Sequence, residues 1–529
     1  MTKMHLLSDV AIEPLVRGWY AWPLLLAPAV TGLIMQESHY PIMESFLKGP
    51  LLHEEATSDP ALAGGPFMSL PASAVPAVQS LYNETHKDYE ELGGLALALR
   101  TLGLRLRERR GEALEDAYAE LPPVLRGRVE LTYDLENRAD FRVIEPFLYS
   151  APELALETGQ SVLLRRYGAR RRPFILSTPR IAGPADVWLR CPFRNEKLDR
   201  VAASRRVAVD FEELAEELGV ERDEMCRVMG PGDPPGARTP VAHHRGGLRT
   251  RYLGHATLLF ETEVSSVLID PCVTFQPTGW GDWACSTAYE LPERIDAVVL
   301  THAHPDHVVL ESLLELRRRT SQVIVPKSNG GKLQDPSLRL MLQNCGFESV
   351  TELDECETTG IGEIRVTALP FLGEHGDLDI RSKAAFVVAG GGRKALCVAD
   401  SRNLDSGLYS ELAREVGPLD ALFLGMECVG APLTWLYGAL FRGGLDPRVS
   451  RERRLAGSNA SEAIEIVRRL KINRAYVYAM GMEPWVWHIT TVTEDPRAPQ
   501  LMEAAKFVRH CREMDVDASR LRGYTDLVI

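Results

Sequence analysis

After residue 248 the chain carries short apolar runs in quick succession: SVLID (266–270), DAVVLT (296–301), QVIVP (322–326), VTALPF (366–371), AAFVVAG (384–390), ALCVAD (395–400), ALFLG (421–425) and AYVYAM (475–480). Their length and their β-branched content predict strands buried on both faces. Stretches with helical spacing, ESLLELRRR (311–319) and SEAIEIVRRLK (461–471), lie between some of them, and 384–400 reads as a hairpin around residues 390–392. Strands joined partly by helices and partly by hairpins predict mixed sheets covered by helices, a layered α/β domain. No internal sequence repeat is visible.

Ahead of this region the pattern changes. Residues 89–110 and 111–118 keep apolar positions at helical spacing, and Asp210 is placed to cap the helix of DFEELAEELGV. Between the two regions, MGPGDPPGARTPVAHHRGG (229–247) has the Pro- and Gly-rich composition of an exposed connector. The reading is therefore an N-terminal, mainly helical and mixed α+β domain over 1–228, a linker over 229–247 and an α/β domain over 248–529. The apolar stretch 20–35 contains Pro23 and Pro28, follows Asp9 and Glu13 rather than a basic segment, and is too short for a bilayer. Neither a signal peptide nor a membrane anchor is expected.

Composition narrows the function classes. With 45% hydrophobic and 25% charged residues over 529 positions, the chain is globular, and disordered or fibrous readings fall away. The net charge of −13 is spread over both halves and no basic tail is present, so no nucleic-acid partner is expected. Nine cysteines, odd in number and never spaced C-x-x-C, argue against a disulfide framework or a thiolate zinc site and for a reducing cytoplasm.

The sharpest chemical signal is T-H-A-H-P-D-H (301–307), directly after the strand DAVVLT. In extended backbone His302 and His304 point to one side, and the turn at Pro305 offers Asp306 and His307 from another direction. One short segment can thus serve two adjacent metal ions.

This motif, preceded by GHAT (254–257) and LIDP (268–271), resembles the metallo-β-lactamase superfamily over about residues 248–529. The resemblance implies a four-layer αβ/βα sandwich with further ligands at later strand ends: Glu374 or His375 in FLGEHGD, Asp400 in ALCVAD, and His488 in EPWVWHIT. With His375 the set suits zinc and a dinuclear zinc or manganese hydrolase of the lactonase, phosphodiesterase or thioesterase type. With Glu374 the set becomes two 2-His-1-carboxylate groups: His302, His304 and Glu374 for one metal, His307, His488 and Asp306 for the other, bridged by Asp400. That donor set is the signature of oxygen-activating non-heme iron.

Along its whole length the chain, with GEHGD, VADS and YAMGMEPW, further resembles the diiron β-hydroxylases of the chloramphenicol-biosynthesis type. That resemblance places Glu374 on iron. It implies two iron ions, O2 as co-substrate, an external electron donor, and catalysis by Glu374 and Asp400. It also implies a substrate amino acid held as a thioester on a nonribosomal peptide synthetase carrier domain in natural-product biosynthesis, and a homodimer joined through the N-terminal domain.

Asp270, His255 and His375 are expected to support the ligands from behind, with His255 read as a buried histidine satisfied by backbone because the ligand places are already filled. Trp485 and Trp487, neighbours of His488, together with Trp435 and Tyr437, are the expected substrate-pocket aromatics. Three arginine clusters (105, 107, 109, 110; 165, 166, 170, 171, 172; 451, 453, 454) read as solvated faces, or as seats for an acidic carrier domain or its pantetheine phosphate.

Overall fold

The computed structural model describes residues 3–168, 170–231, 247–273, 275–276, 283 and 285–529. Most of the expected linker, and Trp280, lie outside the described residues. The linker's first residues are part of the N-terminal domain, since Met229–Gly230 pairs antiparallel with the strand Lys3–Leu6.

All eight expected strands form, and they divide between two seven-stranded sheets. The first runs Val350–Leu353, Val323–Pro326, Ala297–Val299, Ser266–Ile269, Thr257–Glu261, Arg249–Gly254, Thr525–Val528. The second runs Thr358–Ile361, Ile364–Leu369, Ala385–Gly390, Arg393–Cys397, Ala421–Gly425, Arg474–Tyr478, Asp517–Arg520. Taken from the Thr525–Val528 edge and from the Thr358–Ile361 edge respectively, both sheets have three antiparallel pairings followed by three parallel ones. The two halves share one plan that leaves no repeat in the sequence, because burial requires apolar residues but not particular ones.

Period-two alternation explains why both faces of each sheet are apolar. Leu258, Phe260, Val267, Ile269 and Val299 face Phe386, Val388, Cys397, Phe423, Tyr476 and Tyr478 in a core between the sheets. The intervening residues of the second sheet, Val387, Leu396, Leu422 and Val477, pack outward against the helices Ser406–Val416, Ala460–Leu470 and Pro499–Glu513. The helix Ala460–Leu470 begins with a capping box between Asn459 and Glu462, which satisfies backbone donors at both positions. On the other side, Leu259, Leu268 and Val298 pack outward into a large core shared with the N-terminal domain. The result is the helix–sheet–sheet–helix sandwich.

The N-terminal domain is more mixed than its helical spacing suggests. Helices at Glu90–Leu106 and Phe211–Leu218 appear, the latter capped by Asp210, whose side chain accepts from the Glu213 N–H. A four-stranded sheet is built around Val10–Val16 and Gln160–Arg166. Pro14 inside the first of these argues against a strand in the sequence, since proline removes a ladder donor. The apolar stretch after Tyr20 becomes the buried 3-10 helix Pro23–Leu26 and the buried α-helix Pro28–Ile34, and no helix among the described residues is long and apolar enough to cross a membrane.

Buried charge ties the two domains together. Arg172 Nη2 donates to Glu13 at 2.8 Å and to Glu311 at 2.6 Å, Arg180 Nε donates to Glu13 at 3.1 Å, and the Tyr167 hydroxyl donates to Glu13 at 2.5 Å. These groups are buried. Within the second arginine cluster Arg172 is buried and Arg165 pairs with Asp186, so these two are structural, whereas Arg166, paired with Asp9, and Arg170 and Arg171 lie on an exposed face.

Candidate metal centre

The centre is assembled where strands of the two sheets end. Asp270 follows Ser266–Ile269, and Thr301 with the histidine motif follows the adjacent parallel strand Ala297–Val299. Asp270 accepts from the Thr301 N–H at 2.8 Å and the Thr301 hydroxyl at 2.6 Å, and its Oδ2 lies 2.8 Å from His307 Nδ1. Because the Thr301 hydroxyl is committed to Asp270, its oxygen accepts from His302 Nδ1, 3.0 Å away. Both imidazoles are thereby oriented through Nδ1 with Nε2 directed inward, the usual way a ligand histidine is fixed.

From the second sheet, Asp400 follows Arg393–Cys397 and brings Oδ2 to 3.2 Å from His307 Nε2. Glu374 comes from the turn of GEHGD, in which Gly373, Glu374 and Gly376 all have positive φ. A Cβ at Gly373 would stand 2.5 Å from that of Arg402, so this turn requires glycine there. Glu374 Oε1 lies 2.5 Å from His304 Nδ1, and Oε2 lies 3.6 Å from His302 Nε2.

His255 occupies the remaining corner. It sits with φ of 50° in the turn between Arg249–Gly254 and Thr257–Glu261, and its Nε2 is 3.3 Å from Asp306 Oδ2. Behind it, Glu483 Oε1 accepts from the His255 N–H at 2.7 Å and from the Tyr252 hydroxyl at 2.8 Å, while Glu483 Oε2 is 3.8 Å from His255 Nδ1.

Among the described residues, three groups bring ligand atoms within 4.8 Å of one another: His302, His304 and Glu374; His302, His307 and Asp400; and His255, His307 and Asp306. The sequence expectation is corrected for two histidines: among the described residues His255, expected to be satisfied by backbone, and not His488, stands in the group with His307 and Asp306. His488 is buried elsewhere: its carbonyl accepts from the Ile175 N–H at 2.9 Å, and its ring stands edge-on to Tyr20 at 5.6 Å in the seam between domains. It sits in the short helix Trp487–Thr490 and joins none of the three groups.

His375 joins none of the groups, although its Nδ1 is 3.1 Å from Glu374 Oε2. Asp270 backs His307, as a supporting residue should. Glu483 was missed by sequence reasoning, and its only signal was its place in MEPW beside other functional candidates.

Electrostatics favour a cation here. Burial, followed by the neighbouring His307, keeps His302 well below the usual histidine range, and burial lowers His304 to about 4, so both are neutral donors. Burial and then the adjacent Asp400 push Glu374 well above the carboxylate range in the metal-free protein. His302 Nε2, Glu374 Oε2, Asp400 Oδ1 and both ring nitrogens of His255 are buried without a hydrogen-bond partner. Orphaned buried atoms that converge, two of them carboxylate oxygens, with Asp306 as a third carboxylate beside them, fit two cations, and carboxylate-rich 2-His-1-carboxylate groups suit iron.

A cavity of about 350 Å³ adjoins the centre, reached by His304, Asp306, Glu374 and Asp400 and walled by Trp435, Leu436, Met480 and Ile489. Trp435 therefore lines the pocket. The expectation for Trp485 and Trp487 is corrected along with His488. Trp485 packs edge-on to Trp283 at 5.9 Å, and Trp487 lies under the Arg171 guanidinium at 5.0 Å. Tyr437 contacts a ligand rather than the pocket, its hydroxyl 3.2 Å from His304 Nε2.

Comparison with known proteins identifies the family. Residues 5–229 match the family model of the diiron non-heme β-hydroxylase N-terminal domain, and 265–478 match that of the β-lactamase superfamily domain. Over 525 residues the chain is 36% identical to the 4-amino-L-phenylalanyl-[CmlP-peptidyl-carrier-protein] 3-hydroxylase of Streptomyces venezuelae, covering 98% of each sequence. The crystal structure of CmlA, a diiron β-hydroxylase from Streptomyces venezuelae, matches with a TM-score of 0.92 at 35% identity, covering 100% of this chain and 99% of that one. A metal-dependent hydrolase of Koribacter versatilis is 30% identical over only 122 residues, 23% of this chain and 46% of the hydrolase.

Proposed function

This chain belongs to the diiron non-heme β-hydroxylases, and from that premise we propose that it hydroxylates the β-carbon of an amino acid held as a thioester on the carrier domain of a nonribosomal peptide synthetase. The observation that carries the proposal is the pair of 2-His-1-carboxylate groups meeting at Asp400, in a chain alike over its full length to a hydroxylase of a carrier-bound aminoacyl group.

His302, His304 and Glu374 would hold one iron and His255, His307 and Asp306 the other, with Asp400 grouped with a histidine of each set, His302 and His307. When bound, the iron pair supplies the redox chemistry by which one atom of O2 enters a C–H bond as hydroxyl and the other leaves as water, with two electrons from an external donor. The protein's own residues prepare that chemistry. Asp270 and Thr301 hold His307 and His302 in the tautomer that turns Nε2 inward, and Glu483 anchors the turn that carries His255. Trp435, Leu436, Met480 and Ile489 give the adjoining cavity an apolar wall suited to the hydrocarbon part of an aryl or aliphatic amino acid.

Carrier docking is assigned to the seam of the two domains. Arg107, Arg109 and Arg110 line a cleft of about 1040 Å³ together with Arg138, Lys332 and Arg442, and the cleft reaches Tyr437, whose hydroxyl touches the ligand His304. Guanidinium groups there suit the phosphate of a pantetheine arm. The third arginine cluster is used otherwise, since Arg453 and Arg454 donate to the carbonyls of Gly376, Val429 and Gly430. The reading further takes the protein to act as a homodimer through its N-terminal domain in a reducing cytoplasm, in keeping with nine free cysteines.

The test is to supply iron-loaded protein with a reductant, O2 and a carrier domain loaded with candidate L-amino acids. One oxygen atom, drawn from labelled O2 and not from water, should appear on the aminoacyl group, and none without O2. Cleavage of the thioester that is indifferent to O2 would mark the protein as a hydrolase instead.

A further inference from the structure

One carboxylate in the cavity beside the metal centre belongs to none of the metal groups. Glu427 lies two residues beyond the strand Ala421–Gly425 and lines the same cavity as Asp306, Glu374 and Asp400. Its side chain is firmly placed. Oε1 accepts from the Gly430 N–H at 2.8 Å and from Gln500 Nε2 at 3.0 Å, and Oε2 lies 2.9 Å from the same Gln500 nitrogen. Both donors are neutral. Among the described residues no lysine or arginine forms an ion pair with Glu427; Arg454, on the same cavity wall, donates instead to the carbonyls of Val429 at 2.7 Å and Gly430 at 2.9 Å.

A carboxylate kept in a partly buried cavity without a cationic partner bears a desolvation cost that neutral hydrogen-bond donors offset only in part. Burial, with Asp400 adding to it, pushes Glu427 up to about 7. Purely structural needs do not call for a charge at this place, because an amide could take the hydrogen bonds. A ligand that brings its own positive charge does call for one.

Substrate chemistry identifies that charge. In a carrier-bound aminoacyl thioester the amine is on the carbon next to the one hydroxylated. When the β C–H faces the metal centre, the ammonium group therefore lies close beside it, in the cavity that Glu427 lines together with Asp306, Glu374 and Asp400. We propose that Glu427 binds the α-ammonium group of the substrate and so restricts the site to acyl groups with a free, charged α-amine. This inference rests on the carrier-bound aminoacyl reading of the function.

The test uses full-length, iron-loaded protein and two stable pantetheine amides that differ only in the amine, the L-phenylalanyl and the 3-phenylpropanoyl compounds, with binding measured by calorimetry. Wild-type protein should bind the amine-bearing compound roughly 30-fold more tightly, the range of a charge pair in a restricted cavity. Glu427→Gln should erase the preference while leaving the 3-phenylpropanoyl affinity and the iron content unchanged, and Glu427→Asp should keep part of it. A preference that survives in Glu427→Gln, or wild-type protein that binds both compounds alike or neither, overturns the assignment. Turnover on loaded carrier domains is scored separately, so a failed hydroxylation counts against the function while the analogue comparison still judges Glu427.

Discussion

Replacing His255 and His488 one at a time tests which of the two histidines serves the second metal group. His255 is 1% exposed, has its Nε2 3.3 Å from Asp306 Oδ2, and shares a group with His307. Removing a partner that merely orients a ligand costs about 10- to 100-fold in metal affinity, so Glu483→Gln should fall in that range. Removing the ligand itself should cost more than about 100-fold. His255→Ala dialysed against a weak chelator should then keep about one iron per chain where the wild type keeps two.

His488→Ala should behave oppositely. Its ring is 3% exposed and packs against Tyr20, so its loss leaves a cavity in the domain seam that costs about 2–3 kcal/mol in denaturant unfolding, with both irons retained. The assay is elemental iron per chain, with visible absorption, beside a urea midpoint for each variant. Two irons in His255→Ala together with iron loss in His488→Ala would refute the placement of both residues.

Glu374→Ala should abolish iron at one site and all hydroxylation, whereas His375→Ala should retain iron by elemental analysis, because only Glu374 joins a ligand group. Arg172→Met should destabilise the protein by about 3–5 kcal/mol in urea, since it leaves Glu13 and Glu311 buried with too little positive charge; a loss under about 1 kcal/mol would remove the network from the account of domain docking. His39, buried and stacked on Trp19 at 3.7 Å, is lowered by burial from 6.5 to about 3. Its neutral form is favoured by folding, so the associated stability is present above about pH 6.5 and lost as pH falls toward 3, at roughly 1.4 kcal/mol per pH unit. His39→Phe should therefore flatten the acid limb of the stability curve measured between pH 7 and 4, and an unchanged limb would contradict the assignment.

The legible part of the fold was the part encoded locally. Each strand after residue 248 could be located because a strand buried on both faces must be apolar over four to six consecutive positions, whatever its neighbours are. His302, His304, Asp306 and His307 were equally readable, since the geometry of one short segment after a strand determines that they converge. Asp400 and Glu374 were reached through the family resemblance, and between Glu374 and His375 the residues alone left the choice open. The strand Val10–Val16 escaped because Pro14 obeys the local rule against strands while the sheet tolerates it.

What the sequence by itself determined, then, was the class of layered fold and the dimetal motif, while Glu374 rather than His375 came from the family resemblance. Only the tertiary structure decided which distant side chains join them. His255 and His488 are both histidines near aromatic residues, and nothing local separates them. One is aimed at Asp306 by a positive-φ turn between two strands, the other at Tyr20, some 470 residues earlier, by a single helical turn. Glu483 behind His255, Trp435 rather than Trp485 on the cavity wall, and Glu427 without a counter-charge are likewise set by packing between segments far apart in the chain, where direction and burial, not residue type, decide what a side chain meets.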